Sequence, residues 1–194
     1  MSLSLITAPT EAPITLAEAK LHLRVDSTDE DTLIESLIDA AVGACEHELG
    51  RALMPQVWEV TLDAFPRATN GAAIELAMPP VRSVASVKYV RDSDGAVVTV
   101  AGTDYTLDAA LVPGWVLPVY GKTWPTDARA EAGAVRVQIN CGWANAAAVP
   151  APIKAWLLLA VGQMYRHREA GAEARAVQHE FVRGLLDRWR VHAV

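Results

Sequence analysis

No apolar run in this 194-residue chain is long enough to cross a membrane. Spanning about 30 Å of hydrocarbon takes about 20 apolar residues, whereas the most apolar stretch, Ala155 to Val161 within VPAPIKAWLLLAVGQMYRHREAG, is bounded by Lys154 and Gln163. The first twenty residues, MSLSLITAPTEAPITLAEAK, lack the positive segment followed by an apolar one that marks a secretion signal, so synthesis in the cytoplasm is expected. Cysteine is equally scarce. Cys45 and Cys141 cannot build a disulfide framework, and free buried thiols are the expected state. Also missing is any Lys or Arg between Asp26 and Glu48, a segment that carries Asp26, Asp29, Glu30, Asp31, Glu35, Asp39, Glu46 and Glu48.

What is present is apolar substance and clear periodicity. At 52% hydrophobic the chain can bury a real core as one domain, or as one domain carrying an inserted subdomain. Thr15 followed by Glu18 forms a capping-box pattern and predicts a helix from about Leu16 to Leu23. A second helix follows, with Leu33, Ile34, Leu37, Ile38, Ala41, Cys45 and Leu49 on one stripe, acids at its start and Gly50 as its stop. After Gly50 the period changes to two. QVWEVTLDAF, AAIELAM, SVASVKYVRD, AVVTV, DYTLDA, GWVLPVY and AVRVQINCGWA read as strands, with Asp94-Gly95 as a hairpin turn.

Helical periodicity returns after AVPAP, where Pro152 opens a third helix. Ile153, Trp156, Leu157, Ala160, Val161 and Met164 fall on one side of it, and Leu158 and Leu159 make the other side apolar too, so partners on two sides are expected. A last helix is predicted from about Ala176 to Arg190, striped by Val177, Phe181, Leu185 and Trp189 and flanked by Arg183, Arg188 and Arg190. The predicted fold class is α+β: a frame of about four helices interrupted by an antiparallel β subdomain. Its expected parts are an N-terminal helical part over 1–55, the β insertion over 56–143, and a C-terminal helical part with a docking arm over 144–194.

Charge is distributed unevenly around a net of −6. The front is acidic, while from Val149 onward Lys154, Arg166, Arg168, Arg175, Arg183, Arg188 and Arg190 outnumber Glu169, Glu173, Glu180 and Asp187. Such a split suits either solvated helix faces or copies and partners that orient one another by sign. An acidic chain lacks the basic stripe that gripping nucleic acid requires, yet acidic walls could surround a duplex and let it slide.

Catalytic chemistry finds no foothold. Cys45 and His47 are two residues apart on a helix and point about 200° away from each other, and no C-x-x-C, H-E-x-x-H or D-x-D pattern supplies further metal ligands. There is no G-x-S-x-G, no P-loop and no G-x-G-x-x-G after a strand. His22, His167, His179 and His192 read as surface or packing residues, and Lys122 in YGKTW is a weak phosphate signal. No catalytic residue, metal site or cofactor is expected.

The order of ITLAEAKLHLRVDSTDEDTLIESLIDAAVGACEHELGRAL, IELAMPPVRSVASVKYVRDSDGAVVTV, PGWVLPVYGKTWP and VPAPIKAWLLLAVGQMYRHREA resembles the phage head-tail connector, or adaptor, proteins. It is similar to their longer subfamily with a β insertion between the second and third helices, found in long-tailed phages and phage-like gene transfer agents. The resemblance implies a ring, usually a dodecamer, in the neck of the particle. It implies a portal protein on one side, a stopper or head-completion neck protein on the other, and DNA passing through without sequence recognition.

Within that expectation Phe181, Arg183, Leu185, Arg188, Trp189 and Arg190 are candidates for portal binding, since an apolar stripe with flanking arginines suits an amphipathic docking arm. Glu35, Asp39 and Glu46 are candidates to face the channel or a basic partner. Leu33, Leu37, Ile38, Ala41, Trp156, Leu157, Val161 and Met164 are expected in the core and in subunit packing. The competing reading is a small β-domain enzyme or ligand-binding module with helical decoration, which a pocket of convergent titratable groups would favour.

Overall fold

In a computed structural model the chain is described over residues 1–67, 72–167 and 180–191, with 180–183 described by backbone alone. It forms two compact units, each assembled from two chain segments. One joins Met1–Pro9 to Pro55–Gly142, and the other joins Thr10–Met54 to Trp143–Val194. Helices in one and antiparallel sheets in the other make the fold α+β, as the periodicities predict.

The helical unit starts with α1, Leu16–Leu23, whose capping box is realised. Thr15 Oγ1 accepts from the Glu18 amide at 3.1 Å, and a Glu18 carboxylate oxygen accepts from the Thr15 amide at 2.7 Å. Helix α2 spans Asp31–Leu49 and ends at Gly50, whose φ of 62° suits a residue without Cβ and lets the Arg51 amide donate back to the Glu46 carbonyl at 3.2 Å. A short 3-10 turn at Ala146–Ala148, capped by the Asn145 side chain, leads into α3, Ala151–Arg166, with Pro152 in its first turn. The last helix, α4, is Glu180–Asp187. The predicted residues 176–179 lie outside the described residues.

Helical periodicity decides what this unit buries. In α2 the buried side chains are Ile34, Ile38, Ala41, Cys45 and Leu49, and in α3 they are Ile153, Leu157 and Val161, four residues apart. Ile14, Ala19, Leu53, Met54, Val149 and Leu186 complete the cluster, against which Leu37, Trp156, Leu158 and Met164 pack half-buried. Leu33, expected in the core, is half-buried and stands outside that cluster. A step of one residue turns a helix by about 100°, and it is Ile34 that faces inward. Of the two leucines that make the far side of α3 apolar, Leu158 joins the core margin and Leu159 stays 39% exposed. A Cβ on Gly162 of α3 would stand 3.3 Å from His22 Nε2, so a small residue there makes room for α1.

The sheet unit holds a five-stranded antiparallel sheet in the order β1-β2-β8-β4-β5 and a three-stranded one in the order β3-β7-β6. The first consists of β1 (Ser2–Thr7), β2 (Gln56–Leu62), β4 (Val81–Val90), β5 (Val97–Thr99) and β8 (Val135–Cys141). The second consists of β3 (Ile74–Leu76), β6 (Tyr105–Asp108) and β7 (Gly114–Pro118). Central β8 alternates as its sequence predicts: Val135, Val137, Ile139 and Cys141 are buried. At the Asp94-Gly95 turn the Asp94 carboxylate accepts from the Ala96 amide at 3.0 Å, and Val90 pairs with Val97. Phe65 stacks on Trp124 at 4.9 Å between ring centroids, and Tyr89 meets Phe65 edge-on at 5.7 Å. Strand β1 is a correction to the expected layout. Residues grouped with the N-terminal helical part pair instead with β2, Ser2 to Thr61 through Leu5 to Trp58.

Candidate interaction surfaces

The three acids singled out on α2 are placed in two different settings. Glu35 and Asp39, one turn apart, are exposed to the side of the buried stripe. Glu46 is half-buried, and its carboxylate accepts from the Leu53 amide at 2.7 Å. That bond satisfies a backbone donor just past the C-terminus of α2, a structural duty that separates Glu46 from the other two acids. Further forward, Asp31 pairs with Lys20 of α1 at 2.5 Å, and the Tyr165 hydroxyl of α3 donates to Glu30. Part of the acidic segment is therefore engaged within the helical unit, while Glu35 and Asp39, like Asp26 and Asp29 before the helix, are exposed.

The C-terminal candidates divide in the same way. Leu186 is 1% exposed in the helical core, whereas Leu185, placed on the predicted stripe, is half-buried. Trp189 meets Trp143 edge-on at 6.2 Å, and its carbonyl accepts from Arg51 Nε. The Val191 amide donates to the Leu49 carbonyl at 2.9 Å. Arg190 pairs with Glu48 and reaches Asp187 at 3.5 Å. Arg188 is exposed, with its guanidinium 5.6 Å from the centre of the Trp189 ring. The side chains of Phe181 and Arg183, with Val177, lie outside the described residues. From Leu186 to Val191 the segment is thus built into its own unit, and Arg188 is its outward-facing positive charge.

The remaining titratable groups serve structure. Burial pushes both thiols up to about 12, with Glu46 and Glu48 adding to the effect at Cys45. The hydrogen bond from the Thr15 amide holds the Glu18 carboxyl below its usual value, outweighing the opposing effect of burial. Burial lowers the Arg51 guanidinium and raises the Tyr89 hydroxyl, the latter helped by Asp127, whose carboxylate accepts from it at 3.1 Å. Among the described residues no group of three His, Cys, Asp or Glu side chains could hold a metal ion. No described helix is long and apolar enough to cross a membrane. A cleft of about 470 Å³ in the sheet unit is lined by Phe65, Pro118, Trp124 and Pro125, and its titratable lining groups are Arg67 and Lys122. Lys122, the weak phosphate signal of the YGKTW turn, is paired with Asp104 at 3.2 Å.

Against known proteins, the profile described as "Phage gp6-like head-tail connector protein" matches residues 13–105. The whole chain superposes on a chain from the neck of an empty gene transfer agent particle computed with C6 symmetry, at a TM-score of 0.80 and 27% identity, covering 100% of this chain and 97% of that one. Residues 13–105 are thus similar to the phage head-tail connector family, and the whole chain shares the fold of a gene transfer agent neck chain. Two further solved structures with the same coverage share this fold. They are the virion of a native gene transfer agent particle, at a TM-score of 0.80 and 26% identity, and the neck of a native particle computed with C12 symmetry, at 0.79 and 26%. No curated protein matches the sequence. Two features of the helical unit went unread in the sequence, the Leu186 anchor and the Arg190–Glu48 pair. The adjacent leucines 185 and 186 signalled an apolar contact without telling which of them turns inward.

Proposed function

We propose that the chain is a structural subunit of a ring in the neck of a phage or phage-like particle, joining the portal to the next neck protein while DNA passes through the hole. The observation that carries this reading is the full-length likeness to chains from gene transfer agent necks computed with C6 and C12 symmetry. A closed ring of one chain needs two different, mutually fitting lateral surfaces, and docking between portal and stopper needs an upper and a lower one. Arg188, with the helix before it, is the candidate portal contact, since it stands exposed beside an aromatic ring that is anchored in the fold. Glu35 and Asp39 are the candidate channel or basic-partner acids, because they are exposed and on one face of α2. Acidic walls repel phosphates, which lets DNA pass without being gripped.

Particle assembly tests the reading. Removing the chain should leave DNA-filled heads without tails, and Glu35→Lys with Asp39→Lys should impair DNA passage or assembly while the purified variant still folds. Tailed, infectious or transducing particles made without the chain would contradict the neck role. Normal particles from the double variant would reduce these two acids to a solvated face.

A further inference from the structure

The five-stranded sheet ends in two strands that are unguarded in the same way. Soluble proteins protect the unpaired N–H and C=O groups of an edge strand with charges, prolines or a covering segment. Here β1 is exposed along its whole length, Leu3, Leu5 and Ile6 included, and no charged side chain occurs from Met1 to Thr10. Its one irregularity lies between Leu5 and Thr7, which leaves Ser2–Leu5 in regular register with β2. At the other end, β5 exposes Val97 at 66%, and no charge occurs from Gly95 to Thr103. Hydrogen bonds at Ala96 and Val100 prolong its attachment to β4 beyond the three strand residues.

Strand direction makes these two edges complementary. Every pairing in the sheet is antiparallel, so β1, β8 and β5 run one way and β2 and β4 the other. We propose that β5 of one subunit pairs, in parallel, with β1 of the next copy of this chain, continuing the sheet from subunit to subunit around the ring. This inference rests on the ring reading above. Cyclic symmetry repeats a subunit by rotation about one axis, so it sets the β5 side of one copy against the β1 side of its neighbour with both strands in the same sense. Two opposite, neutral edges of one sheet meet the need of a heterologous contact for two different fitting surfaces. An added strand from a foreign protein would satisfy only one of them.

Cross-linking within the assembled neck tests the pairing. Ser4→Cys is combined in turn with Val97→Cys, Val98→Cys and Thr99→Cys in the full chain. Within one copy the two edges are four strand spacings apart, roughly 19 Å, beyond the reach of a disulfide at about 7 Å between Cα atoms. Cys45 and Cys141 are buried with their thiols raised to about 12, so they do not compete. The expected result is a reductant-sensitive ladder from dimer to closed ring for at least one combination, with no ladder from any single variant. Amide exchange over residues 2–7 and 96–100 of the unmodified chain should slow on assembly. Rings that form without any cross-link and without slowed exchange overturn the edge pairing and leave the ring reading intact. Dimers from Ser4→Cys alone overturn it as well, because they report β1 against β1. Absence of rings by solution mass and electron microscopy removes both readings together.

Discussion

Leu186→Ala is the substitution that separates an arm held ready for a partner from a helix built into its own unit. The side chain is 1% exposed in a cluster that includes Leu49, Leu53, Met54 and Leu157. Cutting a buried leucine to alanine costs about 2 to 5 kcal/mol. At about 2 to 4 °C per kcal/mol for a chain of this length, the Tm of the helical unit should fall by roughly 4 to 20 °C. Arg188→Ala removes an exposed side chain of the same segment and should stay within about 0.5 kcal/mol of the parent. A chain cut after Gly171 loses Leu186, the Trp143–Trp189 contact and the Val191–Leu49 hydrogen bond together, so it should melt below Leu186→Ala. Circular dichroism at 222 nm during heating reads all three. If Leu186→Ala and the truncated chain melt with the parent, the docking of α4 on its own unit is wrong, and the whole segment is free to serve a partner.

Glu46→Ala should destabilise the helical unit by about 1.5 to 3 kcal/mol in urea, the value of a hydrogen bond to a charged group, whereas Asp39→Ala should change little; equal effects would deny Glu46 its role at the Leu53 amide. The Glu18 carboxyl is held below its usual value when folded, so its contribution is complete above the unfolded carboxylate range and is lost as pH falls through the lowered value. Glu18→Gln should remove that acid dependence from the Tm-versus-pH curve, and an unchanged curve would contradict Glu18 as its source. Both thiols should resist alkylation at pH 8 in the folded chain and react in denaturant, since burial raises them to about 12; rapid labelling of the native chain would contradict their burial.

How far the fold could be read in advance followed the range of the interactions that make it. Helix α1 was legible because its capping box is closed within four residues, and α2 because its stripe, acidic start and Gly50 stop are all local. Strands β2 to β8 were legible through alternation and turn residues such as Asp94-Gly95. Strand β1 was not, although Ser2 to Leu5 alternate, because it buries neither face and its pairing with β2 spans about fifty residues of sequence. The candidate surfaces fared similarly. Composition counted Glu46 with Glu35 and Asp39, and only the fold of the turn after Gly50 brings the Leu53 amide to it. Arg190 meets Glu48 across 142 positions of sequence, so a charge that looked available from the helix pattern is engaged at home. Family resemblance supplied the ring, which neither periodicity nor charge could have suggested.

The most direct measurement is the solution mass of the purified 20.8 kDa chain, alone and with a portal ring, by native mass spectrometry. The account predicts that with portal present the added mass is a closed set of six or twelve copies, lost when the chain carries a charge reversal at Arg188. A chain that stays at one copy and leaves the portal mass unchanged would contradict the proposed neck role.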